Sequence, residues 1–491
     1  MPHFPFPGVA PAVPEILLAA LAMALLLYGA FRGENSTRQV TWLAVAALAL
    51  VFIVNLVQGS ERQLGFYGMF VSDAFAVFMK SLVLIGSAVT ILMGVQYDRD
   101  ERIERFEFPV LVMLATTGMM VMISANDLII LYAGLELQNL ALYVVASFNR
   151  DSARSSEAGL KYFILSGLSS GILLYGLSLV YGFADTTAFA DLARLFASGA
   201  PAPRGVIVGL AFIIAGLAFK ISAVPFHMWT PDVYEGAPTP VSAFFALAPK
   251  IAAFALFVRV LVEPFAPLFL EWRQIIFFIS VASMVFGAVA AIAQQNIKRL
   301  MAYSAISHVG YALIGLAAAD TLHGGPLATA AIRGVLVYFA MYLVMTMGAW
   351  AVILCMRRQG RMLEEISDLS GLSHTHPALA LALAIFMFSL AGLPPTAGFF
   401  AKLYVFFAAI DAKLIGLAVI GVVTSVISAF YYFRVVKVMY FDEPVAAFDR
   451  PLSFELKSVV LVTAIITMFF FAFPGPLIGG ANAAAASLFL P

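Results

Sequence analysis

Charge is scarce in this chain. Asp, Glu, Lys and Arg make up 11% of its 491 residues, where a soluble domain carries about 25%. With 62% of the residues hydrophobic, too little polarity remains to coat a water-facing surface, and the chain reads as a polytopic membrane protein. Basic and acidic residues balance at 28 each, which gives no support for nucleic-acid binding. Cysteine is nearly absent. Cys355 alone excludes an internal disulfide and any Cys-ligated zinc or iron–sulfur site. No GxGxxG follows a strand pattern and no GxxxxGKS/T loop occurs, so nucleotide binding is not indicated. A nucleophile–base pair, a paired-carboxylate hydrolytic site and a metal cluster are missing as well. Nothing argues for a site that transforms a substrate, and any redox or ATP energy has to come from elsewhere. Residues 1–31 have no basic segment ahead of their apolar run, so they read as a first membrane helix and not as a cleaved signal or transit peptide.

What is present is a succession of apolar runs. A spanning helix takes about 20 apolar residues, and by that rule the chain is all-α with about fourteen transmembrane helices. The expected spans are 13–31, 40–57, 74–95, 108–124, 127–148, 158–182, 205–224, 239–261, 274–294, 299–318, 329–356, 378–410, 413–440 and 457–474. The seventh and twelfth are interrupted. The longest polar stretches, near 357–376 and 441–457, are loops. Alternate loops are unequal in basic residues: sixteen on one side, including Arg99, Arg154, Arg299 and Arg357, against six on the other. The richer side is expected to be cytoplasmic, which leaves both termini outside.

Residues 215–229, AGLAFKISAVPFHMW, and 391–405, AGLPPTAGFFAKLYV, share an AGL, a proline break and a lysine. They fall five spans apart, and an odd offset places the two copies in opposite orientations. Inverted repeats with discontinuous helices are the architecture of many ion-coupled carriers.

The chemistry is expected in the ionisable residues of the spans. A lysine at the centre of a membrane helix costs about 2.5–3.5 kcal/mol on insertion scales, so it is retained only if something pairs with it or uses it. Lys220 lies in a long apolar stretch with Pro225 beyond it. That proline cannot donate to the carbonyl of Ile221, and the helix is expected to open there and admit water. Glu136, near the middle of its span beside Gln138 and Asn139, is the candidate partner, since a lone buried carboxyl would protonate. A neutral Glu136 making structural hydrogen bonds is the rival. Lys250 follows Pro249 mid-span with no acidic residue near it in sequence, which suits a neutral, proton-accepting state. Lys402 sits about one turn beyond the Pro394, Pro395 and Gly398 break. Ser304, His308 and Tyr311 fall on one helix face, and hydroxyls and imidazole both accept and donate; a histidine satisfied by helix packing is the alternative. Lys161, near the cytoplasmic end of its span, is a pathway entrance or a snorkelling anchor. Lys80 is read as snorkelling near the outer end of its span. His227, just past the first break, caps it or meets water. The GLSSG at 167–171 is read as close helix packing.

FKISAVPFHMWTPDVYEGAPTPVSAFFALAPKIAAF at 219–254, KRLMAYSAISHVGY at 298–311 and GLPPTAGFFAKLYVF at 392–406 together resemble the antiporter-like membrane subunits of proton-pumping NADH–quinone oxidoreductase, respiratory complex I. The resemblance covers essentially the whole chain. The pattern PFHxWxPDxxxGxPTPV is shared by these subunits and by related multisubunit cation–proton antiporters. FKxS, TPDVYEGAP and the lysine at 402 are of the subunit N type; the similar subunit M type has a glutamate at its matching broken helix, and the subunit L type has a long C-terminal lateral helix.

The resemblance implies two inverted five-helix repeats, 108–261 and 262–440, preceded by three helices within 1–107 and followed by a loop and last helix in 441–491. It implies an ion pair of Glu136 with Lys220, a central relay at Lys250, and Lys402 facing the second half-channel, with Lys161 and His308 on the same polar axis. It places no cofactor in this chain and expects NAD, FMN, iron–sulfur clusters and quinone in partner subunits. Subunit M on one side and the small subunits K and J on the other are the expected neighbours, in a bacterial inner membrane, with lipid around them. Three functions follow as hypotheses: a proton-translocating subunit driven by redox chemistry elsewhere, a sodium- or potassium–proton antiporter subunit, and a structural scaffold.

Overall fold

In hydrocarbon every backbone N–H and C=O must find a partner within the protein, and a helix satisfies them inside one segment. The chain follows that rule. The computed structural model describes residues 8–197, 201–450 and 452–489, and most of these are helical. The N-terminal group is α1 (Val13–Arg32), α2 (Thr37–Val57) and α3 (Ala74–Asp100). Then come α4 (Glu107–Ile123), α5 (Leu128–Ala146), α6 (Ala153–Ala184), α7 (Phe189–Phe196), α8 (Arg204–Lys220), α9 (Trp229–Gly236), α10 (Thr239–Ala246) and α11 (Ala248–Val262). The second half holds α12 (Phe269–Ile292), α13 (Ile297–Ala318), α14 (Gly325–Leu354), α15 (Leu372–Thr375), α16 (Pro377–Ala391), α17 (Ala397–Asp411) and α18 (Ile415–Phe441), and α19 (Phe454–Phe469) and α20 (Gly475–Ser487) close the chain. Two short antiparallel pairs lie in loops: β1 (Gln63–Gly65) with β2 (Phe70–Ser72), and β3 (Arg357–Arg358) with β4 (Arg361–Met362).

Eleven helical segments among the described residues are long and apolar enough to cross a membrane. Adding the shorter α4 and α8 and the broken pair α16–α17, every expected span has a helical counterpart. Several boundaries differ. α6 begins five residues before the expected 158, and α20 lies beyond the last expected span, packed on α3 and α14 with Ser487 Oγ accepting from the Phe75 amide at 3.1 Å. Outward-facing side chains such as Phe31, Leu168, Val426 and Phe441 are large and apolar, as a lipid-facing surface requires.

The centre is formed by α10–α11, α13 and α14. The apolar windows of these spans are 100%, 94% and 94% buried, against 39% and 33% for the peripheral α1 and α2. α13 is the least apolar of the long spans. A helix carrying Ser304, Ser307 and His308 belongs where protein surrounds it. α4 packs on α5 as α12 packs on α13, and α6 packs on α8 as α14 packs on α17.

Three helices are interrupted. The first interruption begins earlier than Pro225 requires: α8 ends at Lys220, and Ser222 takes φ +64°. The freed groups are satisfied, with the Trp229 indole donating to Phe219 O at 3.0 Å, the Ala223 amide to Ala218 O at 2.9 Å, and the Val224 amide to Ser283 Oγ at 2.9 Å. The carbonyls of Ala218 and Phe219, freed where α8 ends, are thus engaged. The second interruption separates α16 from α17. Gly392 has φ +88°, and a Cβ on Gly398 would sit 1.9 Å from Ser389 O, so both positions require glycine. The third was not expected: the eighth span breaks at Leu247 (φ −108°, ψ −97°), where Pro249 cannot donate to the carbonyl of Phe245.

Candidate functional site

Each interruption carries a lysine. Lys220 is the last residue of α8 and is enclosed between α5 and α6. Its Nζ donates to Ser166 Oγ and, at 3.1 Å, to Asn139 Oδ1. Asn139 Nδ2 in turn donates to Glu136 Oε1 at 3.1 Å. Glu136 and Lys220 are therefore joined through an amide, without the direct contact that the resemblance implies. The reason is their placement. Glu136 sits at the outer margin of α5 and is only half-buried, while Asn139, one turn further, faces inward.

Lys250 lies in the first turn of α11, fully enclosed, with its Nζ 5.7 Å above the Tyr234 ring and no hydrogen-bond partner among the described residues. Tyr234 is within electrostatic reach of Tyr342, whose ring lies 5.2 Å from that of His308. His308 is within electrostatic range of both Lys250 and Lys402, without contacting either. Its two ring nitrogens each meet a hydroxyl: Tyr338 Oη lies 2.6 Å from Nδ1, and Tyr432 Oη lies 3.2 Å from Nε2. Tyr432 is also 2.5 Å from Ser304 Oγ. The expected Ser304–His308–Tyr311 stripe does share a face: the His308 and Tyr311 rings meet edge to face at 6.0 Å, while Ser304 joins His308 through Tyr432 of α18.

Lys402 donates to Leu390 O at 3.1 Å, to Ala391 O at 2.9 Å and to Ser425 Oγ at 2.8 Å. Its counter-charge is the negative C-terminal end of α16. The ring of Tyr311 lies 4.7 Å beneath it. Gly392 makes room for this arrangement, since a Cβ there would meet Lys402 Cδ at 2.8 Å.

Lys161 lies elsewhere. It is partly exposed and holds Asp232 and Glu157, each at 2.8 Å, at the mouth of a cleft also lined by Arg154 and Glu235. Lys80 does not snorkel: it is wholly enclosed and paired with Glu15 at 2.6 Å. The snorkelling expectation fails because α1 brings a carboxylate to meet it. His227 is half-buried with its ring 4.5 Å from that of Phe286. Gly167 and Gly171 face open space, so the glycines of GLSSG pack against nothing within this chain; the buried Ser169 between them donates to Gly216 O of α8 at 3.2 Å. The close approach of α6 to α8 occurs at Gly176 and Gly209 instead.

Seven Lys and Arg side chains are buried: Lys80, Lys220, Lys250, Arg259, Lys298, Arg357 and Lys402. Lys80, Arg259, Lys298 and Arg357 each have a carboxylate within 4 Å; among the described residues Lys220, Lys250 and Lys402 have none. Partnered charges hold helices together. The three others meet hydroxyls, amides, carbonyls and aromatic faces, which tolerate the loss of a proton better than a carboxylate partner would.

Sequence reasoning placed Asn139 beside Glu136 without its bridging role, and missed Ser166, Tyr338, Tyr342, Tyr432 and Ser425. Spacing could have found several of them, because Tyr338, Tyr342 and Thr346 recur every fourth residue on α14, as do Thr424, Ser428 and Tyr432 on α18. Among the described residues no group of three or more His, Cys, Asp or Glu could hold a metal.

A family model described as NADH:quinone oxidoreductase/Mrp antiporter, TM, matches residues 125–428. NADH-quinone oxidoreductase subunit N of Paramagnetospirillum magneticum is 56% identical over 483 residues, 98% of each chain. That of Rhodospirillum rubrum is 55% identical over 480 residues, 97% of each. A chain of respiratory complex I from Thermus thermophilus, solved with bound aureothin, superposes with a TM-score of 0.81 at 30% identity, covering 96% of this chain and 100% of that one. A chain of the Mrp complex from Dietzia sp. DQ12-45-1b superposes at 0.85 with 22% identity over 98% of each chain, a likeness of fold alone. The chain belongs to the NADH:quinone oxidoreductase/Mrp antiporter family of transmembrane proteins, in its NADH-quinone oxidoreductase subunit N branch.

Proposed function

We propose that this chain moves protons across a bacterial inner membrane as one subunit of an NADH–quinone oxidoreductase, with the redox chemistry and its cofactors held by partner subunits. The observation that carries this reading is the division of the buried bases. Among the described residues, three enclosed lysines, each at a helix interruption, lack the carboxylate that every other buried Lys and Arg has. An unneutralised lysine at membrane depth is costly, and its retention at three equivalent breaks points to use. The route runs from the Glu136–Asn139–Lys220 group to Lys250, past His308 and its tyrosines, to Lys402, with Lys161 and its carboxylates at the basic-rich mouth.

The matching helix pairs α4–α5 with α12–α13 and α6–α8 with α14–α17 support a division into repeats at 108–261 and 262–440. The coupling step alters the contact of Glu136 with Lys220. Turning the Asn139 amide away deprives the lysine of its link to the carboxylate, which favours the neutral amine and sends its proton toward Lys250. Subunit M and the small subunits K and J are the proposed neighbours, with both termini on the periplasmic side.

The test is proton uptake by vesicles carrying the assembled complex with Lys220→Ala or Glu136→Gln. Pumping is expected to fall by about 100-fold for a lost proton-transfer group, with assembly retained. Pumping and coupled turnover at the native level sink the scheme. Sodium- or potassium-dependent collapse of a pH gradient without NADH would favour the antiporter reading.

A further inference from the structure

On the basic-rich side, α1, α4 and α5 enclose a groove of about 550 Å³. Its wall is apolar, formed by Leu26, Val110, Leu111, Leu114 and Val144, and its mouth carries Arg105, Glu107 and Arg150. Arg105 is occupied, bonded to Glu34. Two groups of opposite sign are left. The Arg150 side chain is exposed and has no ion pair or hydrogen bond among the described residues, while Glu107 Oε2 is buried without a hydrogen-bond partner. They line one groove, yet they do not pair: no contact within 4 Å joins them. A buried carboxylate oxygen without a donor is unfavourable, and a free guanidinium at headgroup depth is a ready phosphate ligand.

We propose that this groove is a binding site for a phospholipid with a primary-ammonium headgroup, a phosphatidylethanolamine. Its phosphate meets Arg150, its ammonium pairs with the half-buried Glu107 carboxylate as the enclosed Oε2 turns toward the headgroup, and an acyl chain lies along Leu111, Leu114 and Val144. Occupancy completes both orphaned groups at once. An anionic lipid would answer the arginine and leave the carboxylate opposed to further negative charge. A choline headgroup has no N–H to donate. The ammonium headgroup alone satisfies both ends, so selectivity between lipids is the distinguishing property. The site lies apart from the lysine chain and does not depend on the proton-transfer reading.

The test uses the assembled complex in nanodiscs doped with a photoactivatable diazirine phosphatidylethanolamine, with peptide mapping of the labelled segments. Labelling is expected within 107–114 and 144–150, and excess phosphatidylethanolamine should compete it away while phosphatidylcholine does not. Glu107→Gln and Arg150→Gln should each reduce labelling by about tenfold, the loss of one charge-assisted hydrogen bond. Equal labelling by ethanolamine, choline and glycerol headgroups overturns the proposal. So does labelling that survives both substitutions in properly assembled complex. Cross-links from these segments to a neighbouring subunit in place of lipid would overturn it too, by showing the groove to be covered by protein.

Discussion

At the scale of single residues, what separates one buried lysine from another is its partner. Lys80 and Glu15 form an enclosed ion pair at 2.6 Å, and removing one member leaves an uncompensated charge. Lys80→Met or Glu15→Gln alone is expected to destabilise the protein by about 3–5 kcal/mol. The double variant should recover most of that, read as the yield and thermal stability of assembled complex. Single and double variants of equal yield would show the pair to be idle. Asn139 is a different case, because among the described residues it carries the only hydrogen-bonded link between Glu136 and Lys220. Asn139→Leu keeps the volume and removes a hydrogen bond to a charged group, worth about 1.5–3 kcal/mol. Proton transfer should slow about tenfold or more, with assembly intact, and unchanged pumping would remove Asn139 from the route. The relay lysines were legible in the sequence because the cost of a lysine in an apolar run does not depend on the fold. Their partners were not. For the structural Lys80 as well, the partner Glu15 lies two helices earlier, on α1, and only the packing of α1 on its neighbours brings them together. The inward turn of Asn139 relative to Glu136 is likewise a matter of which face of α5 meets α6.

At the scale of elements, the interruptions position the chemistry. Pro225 and the Pro394–Pro395 pair announced two of them. The third, at Leu247, had a signal in Pro249, whose missing N–H ends α10. It was passed over because the surrounding run stays apolar for a full span. Gly392 combines φ +88° with contact on Lys402, and Gly398 has no room for a Cβ beside Ser389 O. Gly392→Ala forces a left-handed backbone on alanine, at about 1–2 kcal/mol, and displaces the lysine from the α16 carbonyls. It is expected to depress pumping more than assembly, whereas Gly398→Ala should depress assembly itself. Separate measurement of the two quantities checks this, and the reverse order would contradict the packing described. At the other end of the helices, Arg259 ties α3 to α11 through Asp73 at 2.9 Å and Glu263 at 2.7 Å. None of that network was foreseen, since Asp73 and Arg259 lie far apart in the sequence and only the packing of α3 on α11 joins them.

At the scale of the whole molecule, the two halves meet on the basic-rich side in one ion network. Arg299 holds Asp232 and Glu235, Arg154 bridges Glu235 and Glu364, and Lys298 reaches Glu364. Burial pushes the Glu364 carboxyl up, but Lys298 and Arg154 outweigh it and hold it below the usual carboxylate range. Asp232 is likewise lowered against its burial by Lys161 and Arg299. A depressed folded value means the stabilisation is complete above the unfolded carboxylate value, about 4, and is lost as pH falls through the folded one. Thermal stability of the solubilised complex should therefore be insensitive to this network at neutral pH and weaken only in acid, and Glu364→Gln should flatten that acid limb. The number of spans and the membrane class followed from composition, because the length of an apolar run is a local property. The enclosure of α10–α11, α13 and α14 at the centre was not, since it depends on how the helices assemble. The central claim is that Lys250 works by gaining and losing a proton, not by bearing charge. Arginine preserves the charge and cannot release it, so the most direct measurement is proton pumping per NADH oxidised by the assembled complex with Lys250→Arg beside Lys250→Ala. The account predicts that both variants lose pumping to the same degree; an arginine variant that pumps like the native complex would contradict it.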